Sequence, residues 1–321
     1  MKVKIVDENH IINKKPVGLI KLWGVTQLER ILRIAKLSEP TLIEINSKND
    51  RKIIDKIIKR VNLRDDIKVI ISEKRSNKRY DLVLDTKNVY EIDLKNKKID
   101  NIHTIDKSKD KKIAETKIYD LNSRLEPASN FTTHYVIRPV GNFLTKRFVR
   151  FYPIITPNRI TFFAFIICTI GAYFLASKGY MFRMLGLSLF YISFFLDCVD
   201  GPIARITLNF SDFGRFLDEN TDRYRIIIFY LSPAIALYFM DGSFYNIAFS
   251  FILIGLVFFN SFMILKFKTA FLKQFDSYIS AQNIFMLFSI FILIDQIIFG
   301  YLLFIIVLSA ISVYIYSKRK E

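Results

Sequence analysis

Hydrophobic and polar positions divide the chain into two contrasting parts. Before about residue 135 the sequence is Lys-rich and of mixed charge, whereas from Arg159 onward Phe, Ile, Leu and Tyr dominate. The uncharged runs of this second part cover residues 160–177, 184–196, 226–240, 242–265, 277–294 and 296–317. Crossing about 30 Å of hydrocarbon at about 1.5 Å per residue requires about 20 apolar residues. The pattern therefore predicts a membrane-spanning second part.

The second and third runs are too short to cross a bilayer alone. Each reaches a sufficient length when it includes part of the charged segment between them, which gives helices over about 183–203 and 213–240. The expected fold class is thus a polytopic α-helical membrane protein with six transmembrane helices and an N-terminal α/β cytoplasmic domain.

The N-terminal part alternates between strand and helix patterns. Amphipathic periodicity predicts helices over "TQLERILRIAKLSE" and "DRKIIDKIIKRV", and "NVYEIDLKNKKIDNI" indicates a hairpin. Strands are predicted over "KVKIVD", "VGLIKLW", "TLIEIN", "IKVIIS" and "DLVLD". Such alternation is typical of a small α/β domain with a mostly parallel sheet. Its only glycines are Gly18 and Gly24, so it offers no Gly-rich phosphate loop.

A basic, aromatic segment over residues 138–157 precedes the first span. Its apolar side chains can share one face while its cations reach toward headgroups, which is typical of an interfacial amphipathic helix ending at Pro153 and Pro157. An ordinary charged linker is the alternative. The expected division is a cytoplasmic domain at 1–130, an interfacial helix at 131–157 and a six-helix domain at 158–318.

The formal net charge of +17 indicates a membrane surface rather than nucleic acid. The cations are scattered and no nucleic-acid module stands out, while basic residues beside spans favour an anionic cytoplasmic leaflet. The connections before the second, fourth and sixth spans carry few cations, whereas the other connections and the tail carry many. This bias predicts a multi-pass cell-membrane protein with its N-terminus and active site in the cytoplasm. Cys168 and Cys198 show no metal-ligand or disulfide spacing.

Four acids stand beside the predicted spans, where ionisable groups are costly and usually functional. Asp197 and Asp200 are three residues apart, and Asp218 and Asp222 are four apart, so each pair shares one helix face. If the two helices are antiparallel neighbours, the pairs converge. Oxygen-only ligands of this kind suit two Mg²⁺ or Mn²⁺ ions, which would clamp a diphosphate.

The residues between the acids fit this use. Gly201 and Ala204 lack bulk, Arg205 offers a fork for phosphate oxygens, and Gly214 keeps the opposing wall open. The alternative is a set of structural salt bridges with the nearby arginines Arg205, Arg215 and Arg223.

The spacing of these eight residues resembles the signature of the CDP-alcohol phosphatidyltransferase family. The resemblance spans about residues 138–318 and includes "TPNRIT" at 156–161. It implies that an alcohol attacks the CDP-alcohol phosphorus distal to cytidine and that CMP leaves. It implies Asp197, Asp200 and Asp218 as metal ligands, and Asp222 as the general base that also touches a metal. Asp197, Asp200, Gly201, Ala204, Arg205 and Gly214 would hold the CDP group, and the enzyme would be a homodimer.

The N-terminal part resembles a fragment of sugar-phosphate nucleotidyltransferases, over "KLWGVTQLERILRIAKLSEPTLIEI". Such domains are fused to this membrane unit in archaeal-type bifunctional enzymes that make and use CDP-inositol. The missing nucleotide loop indicates a degenerate domain without catalysis, for scaffolding or dimer contacts.

The acceptor alcohol is open from the sequence. The fusion resemblance favours inositol phosphate, with CDP-diacylglycerol or CDP-archaeol as donor. Five cations form a candidate pocket for the acceptor phosphate, namely Arg223, Arg225, Lys266, Lys268 and Lys273. Alternatively, these cations only satisfy the positive-inside rule.

Four other functions compete with transfer to such an acceptor. They are a CDP-inositol-using transferase, hydrolysis of a CDP-alcohol by water, a non-enzymatic membrane anchor, and a transporter whose acids bind a passing cation. A transporter would carry polar residues deep in several spans, and few are present. A bare anchor needs neither six spans nor four acids.

Overall fold

The structure is a computed structural model that describes residues 1–7, 11–12, 15–47, 49–72, 80–93, 98–105, 110–124, 135, 137–267 and 281–317. The described helices are α1 (Gln27–Leu37), α2 (Arg51–Val61), α3 (Asp110–Arg124), α4 (Arg138–Phe148), α5 (Pro157–Leu175), α6 (Tyr180–Thr207), α7 (Asp212–Asp241), α8 (Phe244–Phe267), α9 (Ala281–Leu293) and α10 (Ile297–Ser317). The strands are β1 (Lys2–Asp7), β2 (Ile11–Ile12), β3 (Lys15–Pro16), β4 (Lys21–Leu22), β5 (Val25–Thr26), β6 (Leu42–Ser47), β7 (Lys68–Ser72), β8 (Leu82–Asp85), β9 (Asn88–Asp93) and β10 (Lys98–Thr104).

The chain forms two compact units. The first contains Met1–Glu126 together with two later segments, Lys146–Thr156 and Pro202–Phe210. The second contains Pro127–Thr145, Pro157–Gly201 and Ser211–Glu321. Helix α6 thus contributes its last turns to the first unit.

A four-stranded parallel sheet in the order β7-β6-β1-β8 forms the centre of the first unit. Strand β1 pairs with β6 from Lys2 opposite Leu42 to Asp7 opposite Ser47. The inward side chains of these strands, with those of α1 and α2, form a buried apolar core that also contains Leu208 from the end of α6. The predicted α/β domain with a parallel sheet is confirmed.

Local sequence explains where α1 begins. Thr26 is the N-cap, and its hydroxyl accepts a hydrogen bond from the Glu29 amide at 3.3 Å. This bond satisfies one of the free amides of the first turn. The Glu29 carboxylate takes no part in this cap and pairs with the Arg33 guanidinium at 2.8 Å.

The predicted strand over "VGLIKLW" is wrong except at its end. Val17–Leu19 is a turn of 3₁₀ helix, and only Lys21–Leu22 is extended, in a short hairpin with β5. The two hairpin turn residues, Trp23 and Gly24, have φ of 49° and 81°. Two consecutive positive φ angles are the requirement of a type I′ turn, which ends the strand there. Helix α3 was not predicted.

The second unit is helical, and each of the six apolar runs forms a helix. Five of the described helices are long and apolar enough to cross a membrane, namely α5, α6, α7, α8 and α10. Helix α9 has 13 residues and is shorter than a span requires. The chain is therefore a multi-pass membrane protein, while a sixth span stays a prediction. Residues 138–148 of the predicted interfacial segment are helical, as α4.

Candidate active site

The four predicted acids lie on the two helices on either side of a short connection. Asp197 and Asp200 belong to α6, and Asp218 and Asp222 belong to α7. One carboxylate oxygen each from Asp197, Asp200 and Asp218 lies within 4.8 Å of the others. Three carboxylates so close together repel one another, and a hard divalent cation with oxygen ligands relieves that repulsion. The donor set fits Mg²⁺ or Mn²⁺.

Asp200 is the most enclosed of these three acids. It is 7% exposed, and its carboxylate accepts hydrogen bonds from the Thr161 hydroxyl and, at 2.5 Å, from the Gly201 amide. The Thr161 hydroxyl also lies 3.2 Å from the carbonyl oxygen of Pro157, one turn earlier in α5. Thr161 therefore fixes the orientation of the carboxylate. The segment "TPNRIT", which contains Thr161, was part of the family resemblance, but no role was predicted for Thr161.

Arg225 connects two of the acids. Its guanidinium contacts Asp197 through two bonds of 2.8 and 3.0 Å, and it reaches Asp222 at 2.8 Å. The Arg225 side chain is 4% exposed, whereas that of Asp222 is 53% exposed. Asp222 is not part of the three-carboxylate group, although its carboxylate lies beside that of Asp197 and shares the arginine with it. The i, i+3 spacing of Asp222 and Arg225 was a signal for this pair that sequence reasoning did not use.

Gly214 is required by close packing at the start of α7. The Ser211 side chain is the N-cap of this helix, and its hydroxyl accepts a hydrogen bond from the Gly214 amide at 2.9 Å. A Cβ at position 214 would lie 2.6 Å from the Asn158 side-chain oxygen and 2.8 Å from the Ser211 hydroxyl. Only glycine fits there without a shift of these side chains. Asn158 and Ser211 are further residues of this region that the sequence did not identify.

A family model described as CDP-alcohol phosphatidyltransferase matches residues 154–316, which is about half of the chain. The chain belongs to this family. The match covers α5 to α10, including every acid of the site.

A curated relative extends the comparison. The chain is 36% identical over 69 residues to an archaetidylinositol phosphate synthase from Pyrococcus horikoshii. The aligned region covers 22% of this chain and 35% of that protein, so the chain matches about a third of the relative's length.

Three further residues of the predicted CDP-binding set follow Asp200 along α6. Gly201 adjoins Asp200, and Ala204 and Arg205 are half-buried residues of the last two turns. Of the arginines in the salt-bridge alternative, Arg215 pairs with the exposed Asp212 rather than with a motif acid.

The predicted acceptor cations are distributed unevenly. Arg223 is exposed, and Arg225 is buried against the acids. Lys266 lies in the last turn of α8, while Lys268 and Lys273 lie outside the described residues.

Proposed function

We propose that this protein transfers a phospho-alcohol group from a membrane-bound CDP-alcohol to an acceptor alcohol and releases CMP, as a step of phospholipid biosynthesis. The observation that carries the proposal is the three-carboxylate group of Asp197, Asp200 and Asp218, whose oxygens lie within 4.8 Å of one another. These acids lie within residues 154–316, the region that matches the model of a family described as CDP-alcohol phosphatidyltransferase.

The protein side chains would position the reactants. Divalent cations, held by Asp197, Asp200 and Asp218, would neutralise charge that develops on the diphosphate. The Thr161 hydroxyl and the Gly201 amide keep the Asp200 carboxylate in one orientation. Gly201, Ala204, Arg205 and Gly214 would hold the CDP group together with Asp197 and Asp200.

Asp222 would serve as the general base and as a further metal contact. Its half-exposed carboxylate is open to an incoming hydroxyl, and the carboxylate would take the hydroxyl proton as the oxygen attacks phosphorus. The Arg225 guanidinium, bonded to Asp222 and Asp197, keeps both acids at a fixed separation.

The proposed substrates are CDP-diacylglycerol or CDP-archaeol as donor and an inositol phosphate as acceptor. The partial similarity to an archaetidylinositol phosphate synthase supports this choice. Arg223, Arg225, Lys266, Lys268 and Lys273 are the candidate contacts for the acceptor phosphate. The site would face the cytoplasm, and the protein would act as a homodimer.

The proposal is tested by CMP release from the full chain in lipid nanodiscs. The assay supplies either CDP-lipid, Mg²⁺ or Mn²⁺, and in turn inositol 1-phosphate, glycerol 3-phosphate, serine and inositol. The wild type should release CMP only with metal and one of these acceptors. Asp200→Asn and Asp222→Asn should each lower kcat by at least about a hundredfold, because they remove charge at the reacting groups.

Asp212→Asn is the matched control, since Asp212 lies near the start of α7 but its side chain is 95% exposed. It should retain wild-type turnover. CMP release without any acceptor would instead indicate hydrolysis, and release with inositol or another acceptor would replace inositol phosphate. Failure of the wild type to bind either metal or CDP would favour a membrane anchor.

A further inference from the structure

The C-terminal end of α6 has an unusual residue in its terminating turn. Leu208, the first residue after the helix, has φ of 52°. Its amide donates to the Arg205 carbonyl at 3.1 Å, and the Asn209 amide donates to the Ala204 carbonyl at 2.9 Å. These two bonds define a Schellman motif, whose left-handed position is usually glycine. A leucine there adopts a costly backbone conformation.

The first unit explains why leucine occupies this position. Leu208 is 5% exposed and belongs to the apolar core formed by β1, β6, α1 and α2. Burying a leucine side chain stabilises the folded state by about 2 kcal/mol, which offsets a left-handed backbone. The end of α6 is therefore anchored in that core by a side chain that glycine would lack.

The last four carbonyl groups of α6 are all hydrogen-bonded. The Schellman bonds use those of Ala204 and Arg205, which leaves the carbonyl groups of Ile206 and Thr207 without a partner from the helix or its turn. Arg30 Nη1 donates to the Ile206 oxygen at 2.6 Å, and Arg33 Nη1 donates to the Thr207 oxygen at 3.1 Å. Two guanidinium groups from α1 thus complete the cap.

Both arginines are buried, at 1% and 4% exposed. Their spacing of three residues places them on one face of α1. Positive charge at a helix C-terminus interacts favourably with the helix dipole, and a charged donor makes a stronger bond than a neutral one. The two arginines therefore match the end of α6 in geometry and in charge.

Other side chains hold Arg33 in place. Glu29 pairs with Arg33 at 2.8 Å and with Arg60 at 3.1 Å, and the Tyr152 hydroxyl accepts a bond from Arg33. Burial raises the pKa of Tyr152 above its ordinary value although the Arg33 charge opposes the shift, so the hydroxyl stays protonated. Buried ion pairs contribute little to net stability, because desolvation offsets much of their attraction. A buried network of this kind is better explained by the geometry that it enforces.

We propose that Arg30 and Arg33 are positioning residues for the transferase reaction, which cap α6 and so fix Ala204 and Arg205, the motif residues of its last turns. This proposal rests on the proposed function, because it assigns these two motif residues to CDP binding. It gives the N-terminal unit a role in the reaction that needs no nucleotide site of its own.

The test compares Arg30→Met, Arg33→Met and Arg30→Lys in the full chain in nanodiscs. Arg64→Met is the matched control, because Arg64 belongs to the same unit but its side chain is 56% exposed. Amide hydrogen exchange over residues 202–210 measures how stable the capped end of α6 is, independently of enzymatic activity. Each methionine variant should exchange at least about tenfold faster there, since a bond from a charged donor is lost.

The kinetic readout separates positioning from general damage. In the methionine variants, KM for the CDP-alcohol should rise about tenfold or more, whereas KM for the acceptor should stay within twofold of wild type. Arg30→Lys retains one charged donor and should recover part of the loss. Arg64→Met should match the wild type in both measurements.

Three results would overturn the proposal. Unchanged exchange over 202–210 would show that the arginines do not cap the helix. Faster exchange with unchanged KM for the CDP-alcohol would show that the cap does not position the motif. Equal losses toward both substrates would indicate general destabilisation. A wild type without turnover would contradict the proposed function and with it the catalytic role, while hydrogen exchange would still decide whether the cap exists.

Discussion

At the scale of single residues, the acidic centre depends on two polar side chains that hold the acids and on one position that leaves no room for a side chain. Thr161 orients Asp200, and Arg225 connects Asp197 with Asp222. Gly214 lies where the Asn158 and Ser211 side chains leave no room for a Cβ. Asp218 follows one turn later on α7, so a shift at Gly214 moves a carboxylate of the proposed metal group.

Gly214→Ala should therefore lower kcat/KM by about 10- to 100-fold, because small displacements of reacting groups cost about that much. The steady-state rate of CMP release in nanodiscs measures this. Gly255→Ala is the matched control, since nothing lies within 4 Å of a Cβ there and alanine favours helix. Equal activity of the two variants would show that α7 tolerates the displacement.

At the scale of elements, α6 and α7 carry the acids and the connection between them controls both helix ends. Helix α6 ends in a Schellman turn at Leu208, and α7 begins at Asp212 after its N-cap, Ser211. Only two residues, Asn209 and Phe210, lie between Leu208 and Ser211. The position of each acid pair is consequently set by where its helix starts or stops.

Ser211→Ala should destabilise the first turn of α7 by about 1 kcal/mol, because it removes the acceptor for the Gly214 amide. Hydrogen exchange over residues 212–217 should increase, with a lower thermal midpoint. Ser211→Asp keeps an acceptor and adds negative charge at the helix N-terminus, so it should restore protection. The control Ser188→Ala removes a hydroxyl bonded within α6, to the Met184 carbonyl, and should leave this turn unchanged. Equal exchange in Ser211→Ala and wild type would contradict the capping role.

At the scale of the whole molecule, one buried arginine indicates how the helices of the second unit alternate. Arg183, near the start of α6, contacts Asp295 between α9 and α10, and its Nη1 lies 3.6 Å from the Met240 sulfur near the end of α7. The C-terminal ends of α7 and α9 thus lie beside the N-terminal end of α6. Such an up-and-down order is expected of six crossings, although only 13 residues of α9 are described.

Cysteine labelling on intact cells distinguishes six crossings from five. With six crossings and a cytoplasmic N-terminus, Lys178→Cys and Ser243→Cys should react with a membrane-impermeant maleimide, whereas Ser317→Cys should react only after lysis. Lys178 and Ser317 are exposed in the structure, and Ser243 is half-buried. A background that lacks Cys168 and Cys198 serves as the control. Labelling of all three variants in intact cells would indicate five crossings, and labelling of Ser317→Cys alone would indicate six crossings with the reverse orientation.

Much of the architecture could be predicted from sequence because it depends on local periodicity. Apolar runs gave six helices, and alternation of strand and helix patterns gave the parallel sheet. Prediction from the sequence was weakest in two places. It did not establish whether α9 is long enough to span the membrane, and it assigned a strand to most of "VGLIKLW". In that segment two consecutive residues with positive φ, one of them Trp23, end the strand, and strand propensity carries no signal for such a turn.

The candidate site was predictable to the extent that helix geometry places residues three and four apart on one face. That rule led to Asp197, Asp200, Asp218 and Asp222, and the structure brings the first three together. Thr161, Arg225 and the glycine requirement at 214 follow from which helices pack against one another. A pattern within one helix contains no information on that choice.

The sequence by itself determined the membrane class, the α/β domain and the spacing of the acids, since each follows from interactions between residues close along the chain. Only the tertiary structure decided that Arg30 and Arg33 meet the end of a helix more than 170 residues later. Contacts of that separation depend on the packing of entire elements. The proposed role of the N-terminal unit therefore rests on its buried charges and not on its sequence pattern.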